Sequence, residues 1–266
     1  MEGFFYLMTT VTNRFSDRVD NYVKYRPHYP VEVIDFLKAE NVLSENYVIA
    51  DIGSGTGISA ELFLKNNYKV YGVEPNEPMR HAAEVILQGY SDKKLFVSVG
   101  AKAEDTTLEN NSVDVIVCAQ AFHWFNNDWF RRECERILKP NGFVVLMWND
   151  RRTDSTDFLK VYEDFLQMFG TDYLNVNHKN TQEKLQFNNF FREGNYKEKS
   201  FYNYQDVNFE GLKGRVLSSS YMPNEGHKDF DFMMYCLKKI FTRYQENGVV
   251  RLDYDTKIYY GQLTLR

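Results

Sequence analysis

Apolar positions recur along this 266-residue chain in two alternating rhythms. Short, dense runs such as Val48–Ile52, Val70–Val73, Phe96–Val99 and Val113–Cys118 are separated by stretches whose apolar residues fall three and four apart. A dense run suits a strand covered on both faces, whereas the second spacing gives a helix one buried stripe. The pattern predicts strands at 47–52, 69–74, 95–99, 113–118 and 143–149, with helices at 57–66, 77–88 and 127–138. Such alternation implies a parallel sheet with helices on both faces.

Before this core, Asp17–Leu37 mixes aromatic and charged residues at helical spacing and is interrupted by Pro27 and Pro30. Two short helices around a rigid turn are expected there, capping the cleft at the sheet edge. After the core the rhythm changes. Ser155–Phe169 places Phe158, Leu159, Tyr162, Phe165, Leu166 and Phe169 on one helical face, and 175–195 is polar with a short helix near 181–191. Tyr196–Val207 alternates as a strand, Phe209–Ser219 reads as a helix, Phe230–Asn247 as an amphipathic helix closed by Gly248, and Val249–Leu265 as a final strand. The chain has no repeats and no low-complexity tracts.

The chemistry concentrates where the first strand ends, in Val48-Ile-Ala-Asp-Ile-Gly-Ser-Gly-Thr-Gly57. A strand opening through Gly53, Gly55 and Gly57 into a helix at about Ile58 presents bare backbone N–H groups, and the missing side chains let a ligand approach them. Glu74 follows 21 positions after Gly53, at the tip of the second strand, where a carboxylate can accept bonds from both ribose hydroxyls. This is a nucleotide cradle, and both a dinucleotide and a monoadenosine ligand fit it. In the dinucleotide fingerprint the third glycine lies three positions beyond the second. Here the glycines stand at 53, 55 and 57, with Asp51 two residues before the first.

These residues resemble the class I S-adenosylmethionine-dependent methyltransferases, whose first motif is an acid followed by G-x-G-x-G. The match continues through Glu74-Pro-Asn-Glu-Pro-Met79 as the ribose-binding motif and Ala101-Lys-Ala-Glu-Asp105 at the adenine position. Val113 to Phe125, ending Gln-Ala-Phe-His-Trp-Phe, matches the fourth strand and its exit, and Arg136-Ile-Leu-Lys-Pro-Asn-Gly-Phe-Val-Val145 the approach to the fifth. The resemblance spans about residues 14–150. Tyr22, Tyr25-Arg26-Pro27-His28-Tyr29-Pro30 and Ala121-Phe-His-Trp124 look most like the small-molecule branch, similar to the trans-aconitate and cantharidin-type enzymes.

The resemblance implies S-adenosyl-L-methionine as cofactor and S-adenosyl-L-homocysteine as product; no metal is expected, because the histidines and cysteines form no ligand cluster. It also implies a Rossmann-like α/β fold, its seven-stranded sheet ordered 3-2-1-4-5-7-6 with only the last strand antiparallel. One domain is expected over 1–266: a cap at 14–40, a cofactor-binding core at 41–150, and 151–266 forming the substrate lid and completing the sheet. Cofactor contacts are expected from Arg26, Asp51, Gly53, Ser54, Gly55, Thr56, Gly57, Glu74, Pro75, Met79, Lys102, Ala103, Glu104, Gln120 and Ala121. Tyr22, His123, Trp124, Trp148, Arg151 and Tyr221 are expected at the substrate pocket.

Several of these residues admit two roles. Asp51 orients the glycine turn or meets the methionine amino group through water. Lys102 departs from the carboxylate that relatives offer to adenine, because lysine has no acceptor; Glu104 is a neighbouring contact or a solvated acid. His123 lines the pocket or removes a proton from a hydroxyl or amine, a task suited to imidazole. Arg26 binds the cofactor carboxylate or an acidic acceptor, or is an ordinary surface arginine; Arg151 and Arg152, after the fifth strand, recognise an acidic substrate or are loop charges. Methyl transfer from a sulfonium asks mainly for alignment and desolvation, and a carboxylate acceptor needs no base.

Net charge −5 and an isoelectric point near 5.6 count against broad nucleic-acid binding. Cys118, Cys134 and Cys236 occupy apolar patterns without metal-ligand spacing, and His28, His81, His178 and His227 form no convincing cluster. A cytoplasmic protein, monomeric or homodimeric, is expected. Gly3–Val11 is apolar but only nine residues long, too short to span a membrane, and residues 1–7 read as an upstream extension. Two other readings share the cradle: a nicotinamide-dependent oxidoreductase, and a non-catalytic S-adenosylmethionine-binding sensor or partner subunit.

Overall fold

β1 (Val48–Ile52), β2 (Lys69–Val73), β3 (Phe96–Val99), β4 (Val113–Ala119) and β5 (Leu138–Arg151) pair in parallel, as their two-sided apolar runs require. The computed structural model describes residues 18–171, 173, 182–191 and 195–263. β6 (Lys197–Val207) and β7 (Val250–Gln262) complete a seven-stranded sheet of order β3-β2-β1-β4-β5-β7-β6. Only β7 runs against its neighbours, pairing antiparallel with both β5 and β6. The register sets Asp51 of β1 beside Gly72 of β2 and Val117 of β4, so the carboxyl ends of the three central strands finish level. Residues just beyond those ends therefore converge, which fixes where the cleft must be.

The helices are α1 (Val19–Tyr25), α2 (Glu32–Ala39), α3 (Ile58–Leu64), α4 (Glu77–Ile86), α5 (Gln88–Ser91), α6 (Asn127–Ile137), α7 (Asp157–Phe169), α8 (Gln182–Phe190), α9 (Phe209–Leu217) and α10 (Phe230–Tyr244). Among the described residues four begin on side-chain caps: Asn76, Asn126, Thr156 and Asn208 each accept from a backbone N–H three residues on. Period-two burial in β5 divides the core. Val145 and Met147 face a cluster with Val33, Ile34, Leu37 and Phe63, while Val144, Leu146 and Trp148 face another with Phe122, Phe130, Phe187 and Phe190. A third cluster packs α7, α9 and α10 over Leu252 and Tyr254 of β7.

Three expectations change. α2 does not cap the cleft: Val33, Ile34 and Leu37 are fully buried against the sheet, which makes it a core helix. The helix expected over 77–88 breaks at Leu87 into α4 and α5. α10 ends at Tyr244, and Gly248 (φ +82°) with Asn247 (φ 52°) turns the chain into β7 instead of closing the helix. Gly3–Val11 and His178 lie outside the described residues. Cys118 and Cys134 are buried, Cys236 is half-buried, and all three are free. Among the described residues no helix is long and apolar enough to cross a membrane.

Candidate active site

The turn leaving β1 has the backbone that its glycines allow. Gly53, Gly55 and Gly57 take φ of 70°, 55° and 86°, in the left-handed region where a side chain is strained. Space matters as well. A Cβ on Gly53 would lie 2.5 Å from the Ala121 Cβ, and one on Gly57 would lie 2.7 Å from Leu87 Cδ1. The turn is thus wedged between the exit of β4 and the α4–α5 junction, while Met79 closes over Gly55. The N–H groups of Gly53 and Ser54 donate to the Val73 carbonyl at 2.8 and 3.2 Å.

Glu74, next after β2, is buried and holds the turn from the other side. Its Oε2 accepts from Gly55 N at 2.9 Å and its Oε1 from Asn76 N at 2.8 Å. Burial raises its pKa, and these two N–H groups oppose the rise. Asp51 is fully buried. Its Oδ2 accepts from Ser59 Oγ at 2.6 Å, and its Oδ1, also buried, has no hydrogen-bond partner. Desolvation lifts its pKa to about 7 despite the opposing Ser59 hydroxyl and Ala60 backbone N–H. The buried Thr56 Oγ1 lacks a partner too.

A cavity opens over this turn, lined by Tyr22, Arg26, Pro27, Tyr29, Gly53–Thr56, Ser59, Gln120, Asn149 and Arg215. Gln120, with φ 60°, donates from Nε2 to the Asn149 carbonyl at 3.3 Å, and Asn149 Oδ1 accepts from Thr256 Oγ1 at 2.5 Å. The roof is α1 docked on α9. Arg18 donates to the carbonyls of Ser219 (2.5 Å) and Met222 (2.9 Å), and Arg26 to that of Ser218 (2.8 Å), carbonyls at and beyond the end of α9 where a cation is favoured. The Arg26 guanidinium also lies 4.7 Å from the Tyr22 ring centroid. Burial and the neighbouring Arg215 pull the Arg26 pKa down to about 10.

Not every expected residue reaches this cavity. Ala103 is buried in the core, exposed Lys102 pairs through its backbone with Asp105, and Pro75 leads into α4. Glu104 is not a solvated acid: its Oε1 accepts from Asn126 N at 2.8 Å and fixes the start of α6. His123 and Trp124 sit in a 3₁₀ turn (Phe122–Trp124) with ring centroids 4.5 Å apart, outside the cavity lining. Trp148 points to the opposite face, 5.3 Å from Phe187 and 5.9 Å from Tyr259, so it is core and not pocket. Arg151 is bound to Glu163 and stacked on Tyr162, and Arg152 pairs with Asp255 at 2.7 Å. Tyr221 does not line the cavity, and its ring lies 5.0 Å from that of Tyr173.

Tyr29, Asn149 and Arg215 line the cavity without having been singled out in the sequence. Asn149 could have been found from strand parity, since it takes the face opposite Trp148. Arg215 offered a weaker signal, a cation three residues after Leu212 on the apolar side of α9. Among the described residues no group of His, Cys, Asp or Glu is placed to hold a metal ion.

Comparison with known proteins agrees with this geometry. Residues 50–146 match the methyltransferase domain family. An uncharacterized methyltransferase-like protein of Schizosaccharomyces pombe is 33% identical over 141 residues, 52% of each chain. An uncharacterized methyltransferase of Mycobacterium bovis is 33% identical over 140 residues, again 52% of each. The chain spans about half the length of these curated relatives. Among solved structures, a candidate type II methyltransferase from Anaeromyxobacter dehalogenans shares the fold with a TM-score of 0.65 at 19% identity, over 91% of this chain and 100% of that one. The glycine turn lies within residues 50–146, the stretch that is similar to the methyltransferase domain family.

Proposed function

We propose that this protein transfers a methyl group from S-adenosyl-L-methionine to a small-molecule acceptor, releasing S-adenosyl-L-homocysteine. The observation that carries the reading is the pair of buried, unpartnered oxygens, Asp51 Oδ1 and Thr56 Oγ1, flanking a turn of three left-handed glycines. Buried polar atoms normally have partners, so such atoms beside a cradle suit a polar ligand. Glu74 would receive the ribose hydroxyls on its remaining lone pairs, Met79 would flank the adenine, and Arg26 would meet the methionine carboxylate.

The bound cofactor supplies an electrophilic methyl on a good leaving group. The chain's share is then to align and to exclude water. α1 and α9 roof the cleft, and the wedged turn holds its floor. His123 and Trp124, in the turn after β4, would meet only an acceptor that extends beyond the cavity lining. An acceptor hydroxyl or amine would give His123 a proton to take, whereas a carboxylate would not.

Calorimetric titration of the full chain with S-adenosylmethionine, S-adenosylhomocysteine and NAD tests the cofactor. Binding of the two sulfur nucleotides and not NAD is expected; NAD alone binding would overturn the reading in favour of an oxidoreductase. Incubation of a metabolite extract with methyl-labelled cofactor tests transfer. Tight binding with no labelled product would mark a sensor or partner subunit instead.

A further inference from the structure

α10 is apolar on two faces, whereas a surface helix needs only one. Met233, Leu237 and Phe241 bury one stripe in the cluster shared with α7, α9 and β7. On the opposite side Phe232 and Tyr235, neighbours on the helix surface, are 60% and 59% exposed. Phe169 of α7 meets the Phe232 ring edge-on, with centroids 5.8 Å apart. That contact brings the end of α7, where Met168 is 73% exposed, beside the start of α10. A single exposed apolar residue is ordinary on a protein surface. Met168, Phe232 and Tyr235 on two packed helices make a patch rich in the aromatic and methionine side chains that interfaces favour.

The charges beside the patch indicate what covers it. Asp231 stands in the first turn of α10 and Lys239 two turns further on, both exposed and each four residues from Tyr235. A two-fold axis through Tyr235, perpendicular to the helix, lays α10 against an antiparallel copy of itself. Asp231 then meets the partner's Lys239 and Lys239 meets the partner's Asp231, two ion pairs from one sequence, with the tyrosines together at the centre. A parallel copy would instead set acid against acid and lysine against lysine. An anionic membrane would attract Lys239 but repel Asp231.

We propose that the exposed face of α10 is the contact between two copies of this chain, packed antiparallel about a two-fold axis at Tyr235. The aromatic patch supplies the apolar centre of the contact, and the Asp231 and Lys239 pairs at its edges fix the direction of packing. This contact does not depend on which cofactor the cleft binds.

Sedimentation equilibrium of the full chain tests it. The mass should rise from that of one chain towards that of two between about 1 and 100 µM. Asp231→Lys sets lysine against lysine, and Lys239→Asp sets acid against acid, so each variant alone should dissociate about tenfold more readily. Mixed in equal amounts, the two variants should pair with each other within about threefold of the wild-type affinity, because every lysine at the contact then meets an acid. Phe232→Ser combined with Tyr235→Ser should abolish association. All four positions are exposed, so thermal unfolding midpoints should stay near that of the wild type, which checks that the variants fold. The proposal is overturned if the wild type remains a single chain up to about 1 mM, if the serine variant associates as the wild type does, or if the mixed charge variants fail to pair. A wild type that stays a single chain yet sediments with phosphatidylserine vesicles, and loses them on Phe232→Ser, would assign the face to a membrane instead.

Discussion

Gly55 donates its backbone N–H to Glu74 Oε2 at 2.9 Å, joining the turn after β1 to the tip of β2 across 19 positions of sequence. With Asn76 N on the other oxygen, one buried carboxylate fixes two backbone segments. Glutamine cannot copy this, because its amide nitrogen would face one of the two N–H donors. Glu74→Gln is therefore expected to weaken S-adenosylhomocysteine binding nearly as much as Glu74→Ala, by about 1–3 kcal/mol, with the fold retained. Calorimetry on both variants checks it; a Gln variant with wild-type affinity would show that the carboxylate does not organise the turn.

Gly214 is where the roof meets the lid. A Cβ there would run into the Tyr25 ring, so α1 can lie on α9 only because the side chain is missing. Gly214→Ala should displace α1, carry Tyr22 and Arg26 away from the cleft, and lower stability by about 1–3 kcal/mol, as overpacking generally does. Gly89→Ala is the control, since nothing lies within 4 Å of its added carbon. Guanidinium unfolding and S-adenosylhomocysteine titration together check the pair: both quantities should fall for Gly214→Ala and neither for Gly89→Ala.

The sheet was readable because strands covered on both faces leave dense apolar runs, and those runs end where the ligand-binding turns begin. Asp51, Gly53, Gly55 and Glu74 could be placed around the turn for the same reason: each sits at a fixed offset from a strand end. The roof was harder to read. Arg215 comes to the cavity through the packing of α9 on α1, roughly 190 positions apart, which no local pattern encodes. Trp148 and Asn149 differ by one residue and so by a whole sheet face; choosing the aromatic one picked core instead of cleft. Arg151 looked available because its partner Glu163 is in the next helix. Glu104 looked solvated because the N–H that it accepts from, that of Asn126, is 22 positions on.

Arg151 is tied to Glu163, whose carboxylate also accepts from Tyr173 Oη at 2.7 Å, and both partners are mostly buried, at 11% and 13% exposure. Removing one partner of such a pair leaves the other charge uncompensated. Arg151→Met should cost about 3–5 kcal/mol of stability, and the double change with Glu163→Met should recover much of it. S-adenosylhomocysteine affinity should stay constant in both. Denaturant midpoints with parallel calorimetry check this, and a stable Arg151→Met with altered ligand binding would return Arg151 to the site.

Asp51 is expected to make stability and, under the proposed function, ligand binding depend on pH in opposite directions. Burial raises its pKa from 3.8 to about 7, so between those values the folded chain holds a proton that the unfolded chain has lost. Stability from this group is therefore complete below about pH 4, declines as pH rises towards 7, and is flat above; the whole change is on the order of 4 kcal/mol. Asp51→Asn removes that slope, so the wild-type and Asn stability curves should converge or cross between pH 4 and 8 instead of running parallel. Under the proposed function the cofactor's amino group favours the ionised carboxylate. S-adenosylhomocysteine binding should then tighten from pH 6 to 8 in the wild type, by up to about tenfold per unit below the pKa, and lose that dependence in Asp51→Asn. Parallel stability curves would mean that the carboxyl ionises at its ordinary pKa. A binding profile identical in the two proteins would take Asp51 away from the cofactor's amino group and leave it the task of holding Ser59 and the start of α3.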